Sequence, residues 1–301
     1  MNMVMPNFLI LGAAKAGTTS LYYYLSQHPQ IYMSPVKEPM FFALEGEKLN
    51  FQNPGRGINY NAITELEAYL KLFQNVTTEV AIGEASPLYL YDRKAPQRIK
   101  HYIPDAKLIV LLRNPVERAH SAYTHQVREK YEPLSFAEGL AEEKNRIRNN
   151  WDYLWHYCQA GYYYPQLKRY FDIFPLEQIR VYLYEDFQAN SVNFVQNVYR
   201  FLGVDGTFIP DLTKMNVSGI PKSRFLHHLV NRGNWVRKTL KIFLPQQLRS
   251  NGAQKIREWN LKEKPQLSLE IKEQLGKQYQ EDILKLQKLI QKDLSPWLLG
   301  S

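Results

Sequence analysis

The stretch FLILGAAKAGTTSLYYYL, residues 8–25, combines an apolar run, a loop that contains two glycines and the start of a helical pattern. A run of four apolar residues, 8–11, predicts a buried strand, and the spacing from Leu21 onward predicts a helix. Between them, Gly12 and Gly17 frame a loop of small residues. Backbone N–H groups in such a loop, with the positive end of the following helix behind them, favour a bound phosphate. The stretch therefore predicts an anion site between the first strand and the first helix.

The loop has the glycine spacing of a nucleotide-hydrolase phosphate loop, but its lysine lies elsewhere. The pattern G-x-x-x-x-G-K-[ST] places the lysine directly after the second glycine. Here Thr18 occupies that position, and the loop lysine is Lys15. Taken alone, so loose a match leaves open both a phosphate loop and an ordinary turn between a strand and a helix.

Apolar runs alternate with amphipathic stretches along the rest of the chain. Further buried strands are predicted at residues 80–82, 107–112 and 179–184. Helices are predicted at residues 65–73, 93–102, 116–130, 162–174 and 266–290. An irregular excursion over the sheet edge is predicted at residues 45–61, which are rich in Gly, Asn and Pro. Strands separated by helices indicate an α/β domain with a central parallel sheet flanked by helices.

Several short blocks follow one another in a recognisable order. They are KAGTTSL at 15–21, HP at 28–29, KEPMFF at 37–42, GEASPLY at 83–89, LLRNPVERAHSAY at 111–123, GYY at 161–163, YEDF at 184–187 and NVSGIPKSR at 216–224. Together these blocks resemble the sulfotransferase family, most closely its heparan sulfate branch and the bacterial relatives of that branch. The resemblance implies a P-loop-like sulfotransferase fold in a single domain, residues 1–301, with a family-like core at 7–230 and a basic, amphipathic helical part at 231–301.

The resemblance also implies a donor, 3′-phosphoadenosine 5′-phosphosulfate (PAPS), and a product, 3′-phosphoadenosine 5′-phosphate (PAP). It places Lys15 near the bridging oxygen of the phosphosulfate, and Arg113 with Ser121 at the 3′-phosphate. A late loop, residues 222–224, is implied to close over the nucleotide. The nucleotide-binding residues implied in this way are Lys15, Ala16, Gly17, Thr18, Thr19, Ser20, Arg113, Ser121, Lys222, Ser223 and Arg224.

Three residues are predicted to act in catalysis: Lys15, Glu38 and His125. Glu38 stands where the heparan-type enzymes keep their catalytic base, and His125 where some relatives have an active-site histidine. The chemistry needs these residue types, because a departing phosphate gains charge that a cation and backbone amides stabilise, and a carboxylate can take the proton of the attacking acceptor. For His125, a packed or solvent-facing histidine is the alternative.

Two positions depart from the family pattern. Many relatives have a lysine where this chain has Ala85, which predicts one cation fewer near the reacting centre. His120 stands where an aromatic residue is common, and no role is assigned to it.

The net charge of +9 is concentrated in one part of the 301 residues. Residues 212–257 hold ten Lys and Arg and no Asp or Glu. Such a local field attracts an anionic ligand, a nucleic acid or an acidic membrane surface, although a solvated basic face is the ordinary alternative. We expect Lys222 and Arg224 to serve PAPS, and the basic residues of 232–241 to form a cationic helix face.

Cysteine content and hydropathy point to a cytoplasmic protein. The single cysteine, Cys158, cannot form an internal disulfide. Residues 1–14 lack the basic start of a signal peptide and predict a buried strand instead. No apolar run approaches the roughly 18 residues that cross a bilayer, which predicts no integral membrane association. The expected partner is therefore a small soluble acceptor, a natural product or a carbohydrate, and no nucleic acid.

Two other function classes remain open from the residues. A P-loop kinase or hydrolase would need a lysine beside Thr18 and an acid for magnesium. A non-catalytic protein that binds nucleic acid or membrane would use the basic amphipathic run at 235–244. His156 and Cys158 are too few for a zinc site, so no metal is predicted. The aromatic residues of 151–164 could line an acceptor pocket or pack in the core.

Overall fold

A central sheet of five parallel strands organises the chain. The computed structural model describes residues 4–55, 57–212, 220–221, 261–262 and 266–298. The strands are β1 (Phe8–Gly12), β2 (Ile31–Met33), β3 (Ala81–Ala85), β4 (Lys107–Leu112) and β5 (Ile179–Leu183). Their order across the sheet is β2-β3-β1-β4-β5, and each neighbouring pair is parallel. The predicted α/β fold with a central parallel sheet is confirmed.

Helices connect and cover the strands. They are α1 (Thr18–Leu25), α2 (Phe41–Leu44), α3 (Gly57–Asn61), α4 (Leu66–Leu70), α5 (Leu88–Tyr91), α6 (Ala95–Tyr102), α7 (Pro115–Glu129), α8 (Phe136–Arg148), α9 (Tyr163–Phe171), α10 (Tyr184–Ala189), α11 (Ser191–Leu202), α12 (Leu269–Ile290) and α13 (Ser295–Leu298). Single 3₁₀ turns lie at Lys71–Phe73, Tyr153–Trp155, Gln159–Gly161 and Leu176–Gln178. Within the described ranges, no helix is both long and apolar enough to span a bilayer.

The inner strands explain the apolar runs of the sequence. Every residue of β1 is buried, and so are the last five residues of β4. A parallel strand with helices on both faces has no solvent-facing side, so its sequence is apolar throughout rather than alternating. Because β3 and β4 lie on opposite sides of β1, a crevice opens at the carboxyl end of β1, the position where open α/β sheets bind ligands.

The structure differs from the sequence predictions at short and polar elements. Strand β2 has only three residues and was not predicted, and neither were α8 and α11. The strand predicted at 80–82 lies at Ala81–Ala85 in the structure. The prediction was too short because Gly83 and Glu84 belong to residue types that are not typical of a buried strand. The irregular segment 45–61 contains one short helix, α3.

The C-terminal helix α12 is fastened to the segment that precedes α9. The hydroxyl of Tyr279 donates to the carbonyl of Cys158 at 2.7 Å. The carboxylate of Asp282 accepts the N–H groups of Tyr163 and Tyr164 at 2.9 and 3.2 Å. These two N–H groups open helix α9 and have no partner within it, so Asp282 supplies the cap from another helix.

Two short strands form a second, antiparallel pair, Ile220–Pro221 with Leu261–Lys262. Most of the basic segment 212–257 lies outside the described residues, and so do Lys222, Ser223 and Arg224. The roles given to these residues from the sequence remain predictions.

Gly83 marks the tightest contact in the middle of the sheet. It is the register partner of Phe8 on β1, and a Cβ at Gly83 would lie 2.4 Å from Cζ of the Phe8 ring. The ring therefore fills the space that a side chain at position 83 would need. Gly276 on α12 is a contrasting case, since a Cβ there would meet no atom within 4 Å.

We predict that Gly83→Ala lowers the free energy of unfolding by about 3 kcal/mol, because the added methyl must displace the buried ring. Gly276→Ala, the matched control, should raise it by about 0.5–1 kcal/mol, since alanine is the better helix former. Urea unfolding measures both. In a Phe8→Ala background the Gly83→Ala change should cost less than about 1 kcal/mol. An equal cost in both backgrounds would show that the ring is not the obstacle.

Candidate active site

The loop between β1 and α1 exposes backbone donors at the carboxyl end of the sheet. Helix α1 begins at Thr18 with no acidic residue in its first turn and no side-chain cap. Its first N–H groups therefore have no internal partner and face the crevice with the positive end of the helix. Gly17 adopts φ 95°, and a Cβ there would lie 3.1 Å from the Tyr184 ring, so this turn requires glycine. The arrangement suits an anion such as a phosphate.

Lys15 is the half-buried cation of this loop. Desolvation and then the positive charge of Arg128 lower the pKa of Lys15 to about 8, and Glu38 acts in the opposite direction. Its backbone is left-handed, with φ 70°, a conformation that is uncommon outside glycine. A cation of this kind, desolvated and beside a second cation, binds an anion strongly because the anion restores the charge balance.

Arg113 follows β4 and lies against the same loop. Its guanidinium donates to the carbonyl of Lys15 at 3.5 Å and to Glu117 at 3.3 Å. It also lies 5.0 Å from the centre of the Tyr184 ring, a cation–π contact. These contacts hold the guanidinium flat beside the loop. The ion pair with Glu117 is half-exposed, so a phosphate can exchange for it at modest cost.

One face of α7 lines the site. Glu117, Ser121 and His125 are four residues apart, and Arg128 is three residues beyond His125. Residues with these spacings lie along one stripe of a helix. All four are half-buried, whereas Ala119, Ala122 and Tyr123 on other faces are buried in the core. The stripe therefore continues the site from Arg113 at one end to the neighbourhood of Lys15 at the other.

Glu38 lies in the segment after β2. Its N–H donates to the carbonyl of Ala85 at 3.0 Å, and its carboxylate pairs with Lys37. The backbone of Glu38 is left-handed, with φ 62°, a conformation that costs a non-glycine residue free energy of order 1 kcal/mol and that clusters at functional sites. Because Glu38 raises the pKa of Lys15, its carboxylate lies close to the lysine of the phosphate loop.

A second carboxylate, Glu84, is fully buried behind Glu38. Three hydroxyl groups donate to it: Ser86 at 2.9 Å, Tyr89 at 2.6 Å and Tyr69 at 3.3 Å. Ser86 in turn accepts the N–H of Met40 at 3.0 Å, and Tyr89 accepts the N–H of Phe42 at 3.4 Å. Glu84 thus ties the segment that carries Glu38 to the end of β3 through two hydroxyl bridges.

The structure brings together most of the residues that the sequence singled out. Lys15 lies between Glu38 and His125 electrostatically, since Glu38 raises the pKa of Lys15 and Lys15 lowers the pKa of His125. Arg113 contacts the loop, and Ser121 shares the α7 stripe with His125. Arg128 and Glu84 were not predicted to belong to the site. For Arg128 a signal was available, because it lies three residues after His125 on a predicted helix.

His156 and the buried aromatic residues of 151–164 make contacts within the fold. His156 accepts from Tyr91 at 2.8 Å and donates to the carbonyl of Trp151 at 3.0 Å, so both ring nitrogens are used. In the part of the chain that the structure describes, no three His, Cys, Asp or Glu residues are grouped to hold a metal. Four aromatic residues of 151–164 are buried and pack in the core, namely Tyr153, Trp155, Tyr157 and Tyr163.

Comparison with known proteins assigns the chain to one family and one fold. The sequence profile of the sulfotransferase family matches residues 6–208, about two thirds of the chain. The chain belongs to the sulfotransferase family. A sulfotransferase from Alicyclobacillus acidocaldarius has a similar structure at 37% identity, with a TM-score of 0.79 over 98% of this chain and 99% of that one. The family and the fold implied by the sequence blocks are confirmed.

Curated relatives of this sulfotransferase are much longer proteins. The human bifunctional heparan sulfate N-deacetylase/N-sulfotransferase 3 is 32% identical over 213 residues, which are 66% of this chain and 22% of the relative. The chain thus spans about a fifth of the length of that relative. The sulfotransferase domain from the curacin biosynthetic pathway is 16% identical, with a TM-score of 0.50 over 92% of this chain and 98% of that one, and shares the fold.

The buried Glu84 predicts how the stability of this sulfotransferase depends on pH. Burial raises the pKa of Glu84 from 4.5 to about 7. Between those values the folded state holds a proton that the unfolded state has released, so stability falls as the pH rises. Relative to Glu84→Gln, the wild-type free energy of unfolding should decrease by about 2–3 kcal/mol from pH 5 to pH 8.

Urea unfolding at each pH measures this difference. Glu67→Gln, at an exposed position on α4, is the matched control and should show the wild-type slope over the same range. A Glu84→Gln protein with the wild-type slope would mean that Glu84 is ionised throughout, stabilised by its three hydroxyl donors.

Proposed function

We propose that this chain transfers a sulfuryl group from PAPS to a hydroxyl or amine of a small acceptor, a natural product or a carbohydrate, in the cytoplasm. The observation that carries the proposal is the meeting of Lys15, Glu38 and the open start of α1 at one end of a sulfotransferase sheet. Anion-binding donors and a carboxylate base are the two components that this transfer needs.

The loop residues fit the phosphosulfate end of PAPS. The first turn of α1 offers N–H donors and contains no acid to repel an anion. Lys15 gains proton affinity when an anion binds beside it, because its pKa is otherwise lowered by burial. Residues Lys15 to Ser20 would hold this end of PAPS, which supplies the sulfuryl group and leaves as PAP.

The 3′-phosphate would bind at Arg113 and Ser121. The planar guanidinium of Arg113 suits a forked contact with phosphate oxygens. Ser121 is half-buried, two helical turns into α7 and one turn past Glu117, the present partner of Arg113. The hydroxyl of Ser121 can add a donor to the same phosphate.

Glu38 would serve as the general base. As the acceptor oxygen or nitrogen bonds to sulfur, the bond from sulfur to the bridging oxygen breaks and its electron pair leaves with PAP. The acceptor's proton passes to Glu38, and Lys15 stabilises the charge on the departing phosphate. The carboxylate of Glu38 is paired with Lys37.

A heparan sulfate N-sulfotransferase among the relatives supports an amino sugar as the first acceptor to try. Release of PAP from PAPS, measured across a panel of amine and hydroxyl acceptors, tests the proposal. Turnover of ATP instead would favour a kinase or hydrolase. Tight binding of nucleic acid or anionic vesicles with no turnover of either nucleotide would favour a binding protein.

Glu38→Gln should reduce kcat by at least about a hundredfold while leaving the Kd for PAP within about threefold, as expected for a base that does not bind the nucleotide. Steady-state PAP release and calorimetric titration with PAP measure the two effects. Glu67→Gln is the matched control and should be fully active. Near-normal turnover of the Glu38→Gln protein would remove Glu38 from this role.

Arg113→Ala should weaken the binding of PAPS by about 2 kcal/mol or more, the loss expected for a charge-assisted forked contact. The binding of adenosine 5′-phosphosulfate, which lacks the 3′-phosphate, should weaken much less. Isothermal titration of both nucleotides compares them, with Arg148→Ala at the exposed end of α8 as control. Equal losses for the two nucleotides would show that Arg113 does not recognise the 3′-phosphate.

A further inference from the structure

We propose that His125 acts as a hydrogen-bond donor through Nε2 and not as a second base, and that Arg128 is the positioning residue that fixes this state. The inference rests on the proposed function, since it assigns a role at the same site. It concerns the direction in which His125 can move a proton, which the sequence left open.

The contact between the two side chains settles the position of the imidazole proton. Nη2 of Arg128 lies 2.8 Å from Nδ1 of His125. A guanidinium carries only donors and keeps its charge at any ordinary pH, so it cannot accept from Nδ1. Nδ1 must therefore offer its lone pair, and the proton of the neutral ring is on Nε2.

The surroundings also oppose a second proton on the ring. His125 is half-buried on α7, and the charged groups acting on it are Lys15 from the phosphate loop and Arg128 from its own helix, both cations. Burial, followed by Lys15 and Arg128, lowers the pKa of His125 to about 3. The ring therefore stays neutral throughout the range in which the enzyme would work.

Nε2 is left as an available donor. Within the described ranges of the chain, Nε2 of His125 has no hydrogen-bond partner. It lies on the α7 stripe beside Lys15, where the sulfuryl oxygens are expected under the proposed function. A donor fixed in advance toward developing negative charge lowers a barrier without reorganisation.

Arg128 is itself held in place and adds positive charge. Its Nε pairs with Glu129 at 3.1 Å, so the guanidinium is anchored on one side and donates to His125 on the other. It also lowers the pKa of Lys15, so its positive charge acts on the phosphate loop. Arg128 thus supplies a cation in a site where Ala85 replaces the lysine of many relatives.

Activity of two His125 variants separates a donor from a base. The side-chain amide of glutamine can place an N–H near the position of Nε2 but cannot take a proton, whereas leucine can do neither. We expect His125→Gln to keep kcat within about tenfold of the wild type and His125→Leu to lose about a hundredfold. An equal, large loss in both variants would identify His125 as a base, and wild-type activity in both would exclude any role; either result overturns the proposal.

The protonation state of the His125 ring can be measured without PAPS or an acceptor. This experiment can therefore fail independently of the proposed function. In ¹⁵N-histidine-labelled full-length protein, long-range ¹H–¹⁵N spectra should show His125 protonated on Nε2 alone from pH 5 to pH 8; the signal is assigned by its absence in His125→Gln. Arg128→Met removes the donor to Nδ1, so its spectra should show a second tautomer of His125 with the proton on Nδ1, while Arg128→Lys, which keeps a cationic donor, should not. Protonation on Nδ1 in the wild type, or protonation on Nε2 alone in Arg128→Met, would refute the role of Arg128.

Discussion

The site depends on all five strands ending on the same side of one parallel sheet. Lys15 follows β1, Glu38 follows β2, Ser86 follows β3, Arg113 follows β4 and Tyr184 follows β5. Parallel strands cannot do otherwise, because every crossover returns the chain to the amino end of the sheet before the next strand begins. Residues up to about 170 positions apart thus meet around one crevice. The helix that follows β4 then adds its half-buried stripe along the side of that crevice.

Burial of charge gives the crevice its chemical character. Lys15 is desolvated next to Arg128, and the carboxylates of Glu38 and Glu129 offset part of the positive charge. On the other side, two of the three hydroxyl donors of the buried Glu84, Ser86 and Tyr89, accept N–H groups from the residues that follow Glu38 and so hold that segment in place. Under the proposed function, the anionic PAPS would bind on the first side and the base would lie on the second.

The contact between His125 and Arg128 shows why residue type is not sufficient to assign a role. A histidine near a reacting centre is commonly a base, because its ordinary pKa lies near neutrality. Here a cationic donor occupies the Nδ1 lone pair, so the ring can only donate through its other nitrogen. The same histidine beside a carboxylate would have the opposite tautomer and the opposite function.

Sequence alone determined the features that rest on local pattern. The apolar runs of β1 and β4, the glycine-framed loop and the order of the family blocks gave the fold, the family and the identities of Lys15, Glu38 and Arg113, since buried parallel strands and tight turns each demand particular residue types at short range. Short β2 and the Gly83-Glu84 part of β3 were beyond reach, because their strand conformation comes from pairing with neighbours. Only the tertiary structure decided that Glu84 is buried behind Glu38 and that Arg128 faces Lys15, because desolvation and the field of a charge depend on distances between segments that the sequence does not record.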